Sequence, residues 1–113
     1  SPALHPNGDA ICFVRQGGMF ALDLARGRER EILRRDGASV GECSISADGE
    51  WLSAAAKIDG VNGILTGRWN GRDWRFIEFP RTVIHPQFHP LDSEWIEFSG
   101  DPAPRMHRIR RDG

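Results

Sequence analysis

The sequence predicts an all-β chain of repeated four-stranded antiparallel meanders, and three observations predict it. A turn phrase recurs three times at a nearly constant interval, apolar residues fall in short alternating runs, and no stretch sustains a 3.6-residue apolar period. The phrase reads "LHPNGDAICF" at 4–13, "ISADGEWLSA" at 45–54 and "FHPLDSEWIEF" at 88–98. Each copy is a strand end, a polar turn with Gly or Asp, and an apolar strand. Pro6 to Ala47 is 41 residues and Ala47 to Pro90 is 43, close to the roughly 40–45 residues of a four-stranded propeller blade.

Each element can be justified in order. In the first unit "DAICFVR" runs into Gly17-Gly18, "MFALDL" alternates, "ARGR" turns and "EREIL" follows. In the second, "EWLSAAAKI" leads through "DGVNG" to "ILTGRW", then to Asn70-Gly71, a strong two-residue hairpin signal, and "WRFIEF". The third gives "EWIEFS", the loop "GDPAPR" and "MHRIR", and stops before a fourth strand. Innermost strands are expected near residues 1–4, 41–46 and 83–88, with no helix longer than a turn or two. Pro2 and Pro86 fall in those strands, which border a central channel and tolerate a missing N–H, whereas Pro6 and Pro90 fall in the turns that follow. The fold class is therefore a partial β-propeller of about two and two thirds four-stranded blades. It is read as one domain over 1–113, with blade units about 1–40, 41–82 and 83–113. A closed ring usually has about 4–8 blades, so the chain reads as a fragment of a longer protein. Its open blade edges are expected to favour self-association.

Composition narrows the functional classes. Fifteen basic residues stand against sixteen acidic ones, a formal net charge of −1, so no broad basic surface is present for nucleic acid or anionic lipid. No apolar run approaches the roughly 20 residues of a membrane-spanning helix, and no signal peptide is visible. A cytoplasmic location is expected, with the periplasm as the alternative. Cys12 and Cys43 lie inside apolar runs and are read as small packed hydrophobes ahead of a disulfide. No CxxC spacing suggests zinc, and no phosphate loop or nucleophile elbow occurs. Trp51 and Trp95 share a repeat position and are read as inter-blade core, while Trp69 and Trp74 flank the Asn70-Gly71 turn and could pair across that hairpin.

The four histidines sort by face. His5 and His89 precede proline at equivalent repeat positions, in turns on the bottom face, which favours a structural role. His85 opens an innermost strand near the top rim of the channel, and His107 returns from the same top edge. Because proline follows His85 and His89, a helical metal pair at that spacing is disfavoured.

The phrase "VIHPQFHPLDSEWIEF" resembles the oligogalacturonate lyase family, a seven-bladed propeller related to TolB-type blades. His85, Pro86, Gln87, Phe88, Pro90 and Asp92 match that family's "HHPQFSP-TDP" phrase. "SPALHPNGDAICFVRQGGMFALDL" is similar to generic TolB-like blades. The resemblance implies a parent that cleaves uronate oligosaccharides by β-elimination with a histidine base and a divalent metal, typically manganese. An imidazole that is largely neutral near pH 7 can take the proton beside the uronate carboxylate while a cation offsets the developing charge. By motif match His85 is the base; Arg105, His107 and Lys57 are candidate substrate contacts from their expected places on the top face. No metal ligand is assigned in this chain, because "SGDPAPRMHRI" replaces the family's "CHEGP" loop and the family's ligands lie in later blades. The expected partner is an oligogalacturonate-type carbohydrate. The alternative is a non-catalytic TolB-like module that presents its top surface to a protein or peptide.

Overall fold

The computed structural model describes residues 2–100 and 105–113, with the side chain of Arg105 left out. Its described residues form eleven strands and no helix. The first sheet joins β1 (Ala3–Leu4), β2 (Ala10–Arg15), β3 (Gly18–Asp23) and β4 (Arg28–Arg34). The second joins β5 (Ala38–Ile45), β6 (Trp51–Ile58), β7 (Val61–Arg68) and β8 (Arg75–Glu78), and the third joins β9 (Val83–Phe88), β10 (Trp95–Gly100) and β11 (Arg105–Arg110). All neighbours within a sheet are sequential and antiparallel. This is the all-β partial propeller that the repeated phrase predicts, with two four-stranded blades and one three-stranded blade.

The repeat has a physical basis in its turn. Asn7, Asp48 and Asp92 each accept a hydrogen bond from the backbone N–H two residues on, at Asp9 (2.9 Å), Glu50 (3.0 Å) and Glu94 (3.0 Å). Such Asx turns reverse the chain with a short side chain standing in for a backbone carbonyl. Each turn is closed by the same ladder bond, in which the N–H of His5, Ser46 and His89 donates to the carbonyl of Ala10, Trp51 and Trp95. Glycines at +79° and +75° in φ, Gly8 and Gly49, complete the first two copies, where a side chain would be strained.

The core lies between blades. Leu52 and Ala54 of β6 pack with Cys12, Met19, Ala21 and Ile32 of the first blade. From the other face of the second blade, Ile64 packs with Val83, Phe88, Ile96 and Phe98 of the third. The second blade is thus covered on both sides, which explains why β6 reads as a nearly continuous small apolar run instead of alternating. Ala54 and Ala56 face the first blade, and Ala55 faces the third. Trp51 stacks between Arg68 at 4.3 Å and Arg111 of the third blade at 3.7 Å, which ties these two blades together. Trp95 lies on the face of the third blade turned away from the second, opposite to Ile96. Arg110 and Arg108 cover its ring there at 4.7 and 5.6 Å. It holds the same place in its blade that Trp51 holds in the second.

Candidate functional site

The innermost strands of all three blades, β1, β5 and β9, run side by side, and a groove of about 480 Å³ lies along them. Leu4, Glu42, Cys43, Ile45, His85 and Gln87 are among its lining residues. Both longer strands carry an irregularity at this level. The pairing of β5 with β6 slips between Val40 and Cys43, and the pairing of β9 with β10 slips between Glu97 and Ser99, opposite His85-Pro86. Bulges of this kind re-aim side chains. Here they bring Glu42 and His85, which are 43 residues apart in sequence, together across two blades.

His85 Nδ1 and a Glu42 carboxylate oxygen are 2.5 Å apart. Their side chains are 65% and 41% exposed, so the pair is solvated and open to the groove. With Nδ1–H donating to the carboxylate, the imidazole is held in the tautomer that leaves Nε2 as an acceptor. His85 also has a φ of +53°, in the left-handed region that non-glycine residues rarely adopt. Pro86 ordinarily presses its predecessor towards extended backbone, so this conformation stores strain at the residue.

The other candidates separate. Lys57 is exposed near the end of β6, opposite Ser39 and Asn62, and borders a smaller depression of about 270 Å³ with Thr82 and Val83. His107 pairs with Phe98 across β10–β11, stacks on that ring at 5.3 Å and meets Phe79 edge-on at 4.8 Å. Its Nε2 is buried and has no hydrogen-bond partner among the described residues. Neither residue lines the groove that holds His85. Arg105 begins β11, opposite Gly100, and its side chain lies outside the described residues, as do residues 101–104 of the preceding loop.

His5 and His89 occupy the same turn position. Each Nδ1 accepts a backbone N–H, from Asn7 at 3.2 Å and from Leu91 at 3.1 Å. His5 Nε2 also lies 3.1 Å from the Gly49 carbonyl of the second blade. A neutral ring with hydrogen on Nε2 satisfies both His5 contacts. Glu42 is the groove residue that sequence reasoning missed. "VGECSIS" carries no motif, and the only signal would have been its place on an innermost strand, one blade before His85.

Comparison with known proteins places the fold. No family model matches the chain, and no curated protein matches it by sequence. Among solved structures it is similar to an oligogalacturonate lyase in complex with manganese, with a TM-score of 0.86 at 16% identity over 99% of this chain and 37% of that one. It is similar to TolB from Acinetobacter baumannii, with a TM-score of 0.78 at 23% identity over 97% of this chain and 29% of the other. A further oligogalacturonate lyase, from Vibrio parahaemolyticus, gives a TM-score of 0.80 at 14% identity over 97% and 36%. The chain therefore has the blade architecture of TolB and oligogalacturonate lyase propellers and spans about a third of their length.

Proposed function

We propose that these blades belong to a lyase acting on uronate oligosaccharides, in which His85 is the general base. The observation that supports the reading most is the His85–Glu42 pair, set at a strained bulge on the channel side of two adjacent blades. Glu42 fixes the tautomer and orientation of the imidazole. Nε2 then takes the proton from the carbon beside the uronate carboxylate, and the electron pair of that C–H bond forms a double bond as the glycosidic C–O bond breaks. One product leaves with an unsaturated uronate end. Base help of this kind typically contributes about 10²–10⁴-fold. The matches to "HPQF" and the likeness to oligogalacturonate lyase structures support the substrate class.

Arg105 is the proposed cationic partner of the carboxylate at His85, and Lys57, which borders the neighbouring depression, that of a carboxylate further along the oligosaccharide. Arginine suits this task because its planar fork can bind a carboxylate bidentately. His107, a candidate substrate contact by sequence, packs its ring against Phe98 and Phe79 with Nε2 buried and is proposed instead to support β11. The described residues bring together no group of three or more His, Cys, Asp or Glu side chains, so His85 and Glu42 do not by themselves make a cage for a divalent ion such as manganese. Such an ion would need ligands from elsewhere in the protein.

The test is the absorbance of the unsaturated product formed from digalacturonate by the full-length protein that carries these blades, with and without manganese. His85→Ala should lower the rate about 10²–10⁴-fold, and His89→Ala, on the opposite face, should leave it within a small factor. Equal losses from both substitutions contradict the site. A wild-type protein inactive under every metal moves the weight to a non-catalytic TolB-like module.

A further inference from the structure

The two cysteines form a group that the proposed chemistry does not use. Cys12, on β2, is fully buried, and Cys43, on β5, is half-buried and lines the channel groove. They meet where the first and second blades pack, 31 residues apart in sequence. The Cys43 thiol donates to the Cys12 carbonyl oxygen at 3.4 Å, and its side chain packs against the cluster that holds Cys12. With the Cys43 sulfur already against the Cys12 main chain, a disulfide of roughly 2 Å asks for a rearrangement of these two side chains within one packed contact. The environments of the two differ. The hydrogen bond with Cys43, reinforced by burial, pushes the Cys12 thiol up, so Cys12 keeps its proton. The neighbouring Cys12, with further help from the Ala3 amide, holds Cys43 below the usual thiol range. A half-buried thiol that lines a groove, with a fully buried one behind it, is the arrangement of a reacting and a resolving cysteine.

We propose that Cys43 and Cys12 are an oxidation site that forms a reversible disulfide between the first and second blades, with a hydroperoxide as the oxidant. In the first step the Cys43 thiolate attacks the peroxide. An S–O bond forms, the O–O bond breaks, the sulfur is oxidised to sulfenic acid, and the peroxide is reduced to the alcohol or water. In the second step the Cys12 sulfur attacks the sulfenic sulfur. The S–S bond forms, the S–O bond breaks, and hydroxide leaves with the Cys12 proton as water. The resulting disulfide would fix β2 to the strand that carries Glu42.

The experiment treats the folded full-length protein with hydrogen peroxide, then maps its peptides by mass spectrometry without reduction. Wild type should lose both thiols together and yield a Cys12–Cys43 cross-linked peptide that dithiothreitol reverses. Cys12→Ser should leave a sulfenic acid at Cys43 that a cyclic diketone traps, and Cys43→Ser should leave Cys12 reduced under the same treatment. The proposal is overturned if wild type accumulates sulfinic acid at Cys43 beside an intact Cys12 thiol. Oxidation of Cys12 at the wild-type rate in Cys43→Ser, or no reaction at either thiol, overturns it as well.

Discussion

His85 combines a strained backbone with an exposed ion-pair geometry, and the two can be measured apart. A left-handed conformation costs an L-residue about 1–2 kcal/mol relative to the usual regions, and its φ of +53° puts it there. A solvated pair such as His85–Glu42 returns no more than about 1 kcal/mol, so the histidine is not explained by stability. His85→Gly and His85→Ala both remove the ring, but only glycine relieves the backbone. Urea unfolding should therefore show the glycine variant more stable than the alanine variant by about 1 kcal/mol. An alanine variant as stable as the glycine one would mean that the strain is absent. Asp48 offers a second residue-scale test. The Ser46 hydroxyl, with further help from the Glu50 amide, Ser93 and Arg111, holds its carboxyl below the ordinary carboxylate range. A depressed folded pKa stabilises the fold above the unfolded value of about 3.9 and loses that contribution as pH falls through the folded value. Asp48→Asn should thus be less stable than wild type near neutrality, by at most about 1 kcal/mol given its exposure, and the gap should close under acid. A gap that widens below pH 4 would contradict this.

The elements show why some features were legible in the sequence and others were not. The turns were legible because each must place a short polar acceptor two residues before the N–H that it binds, and Asn7, Asp48 and Asp92 do so. The strands between them were legible from their alternation, or, in β6, from a short apolar run bounded by turns. The bulges in β5 and β9 were not, because nothing local in "GECS" or "HPQF" requires an irregular ladder; it follows from packing against neighbouring blades. Glu42 stayed hidden for the same reason, its partner being one blade away. The burial of His107 was hidden too, since Phe79 reaches it from the end of the preceding blade. Strand β7 carries a further constraint. A Cβ at Gly63 would collide with the Ile77 carbonyl and the Phe76 ring, whereas at Gly41 the nearest atoms of Ala55 lie at an ordinary 3.7 Å. Gly63→Ala should cost about 1–3 kcal/mol through overpacking. Gly41→Ala should be neutral or stabilise by roughly 0.5–1 kcal/mol, as removal of a strand glycine does. Equal thermal midpoints for the two variants would contradict the close approach of β7 and β8.

At the scale of the whole molecule, blade stacking does the work that a single core does elsewhere. The second blade is buried on both faces. The first and third each turn one face outward, where Phe13 stacks on Phe20 under Arg15 and where Trp95 lies beneath Arg108 and Arg110. In the isolated chain of 113 residues, β11 also leaves one backbone edge unpaired, and such edges template association. Sedimentation of the isolated chain should show mass rising with concentration; a monomer at all concentrations would contradict an open edge. The same stacking makes the site a property of two blades at once, because His85 and Glu42 meet only when the second and third are in register. The central claim is that these residues act as one unit, and a double-mutant cycle on digalacturonate turnover tests it most directly. If they do, His85→Ala and Glu42→Ala lower kcat/KM individually, and the double variant is no slower than His85→Ala alone, since Glu42 works only through the imidazole. Losses that multiply in the double variant, or a Glu42→Ala protein as active as wild type, would contradict it.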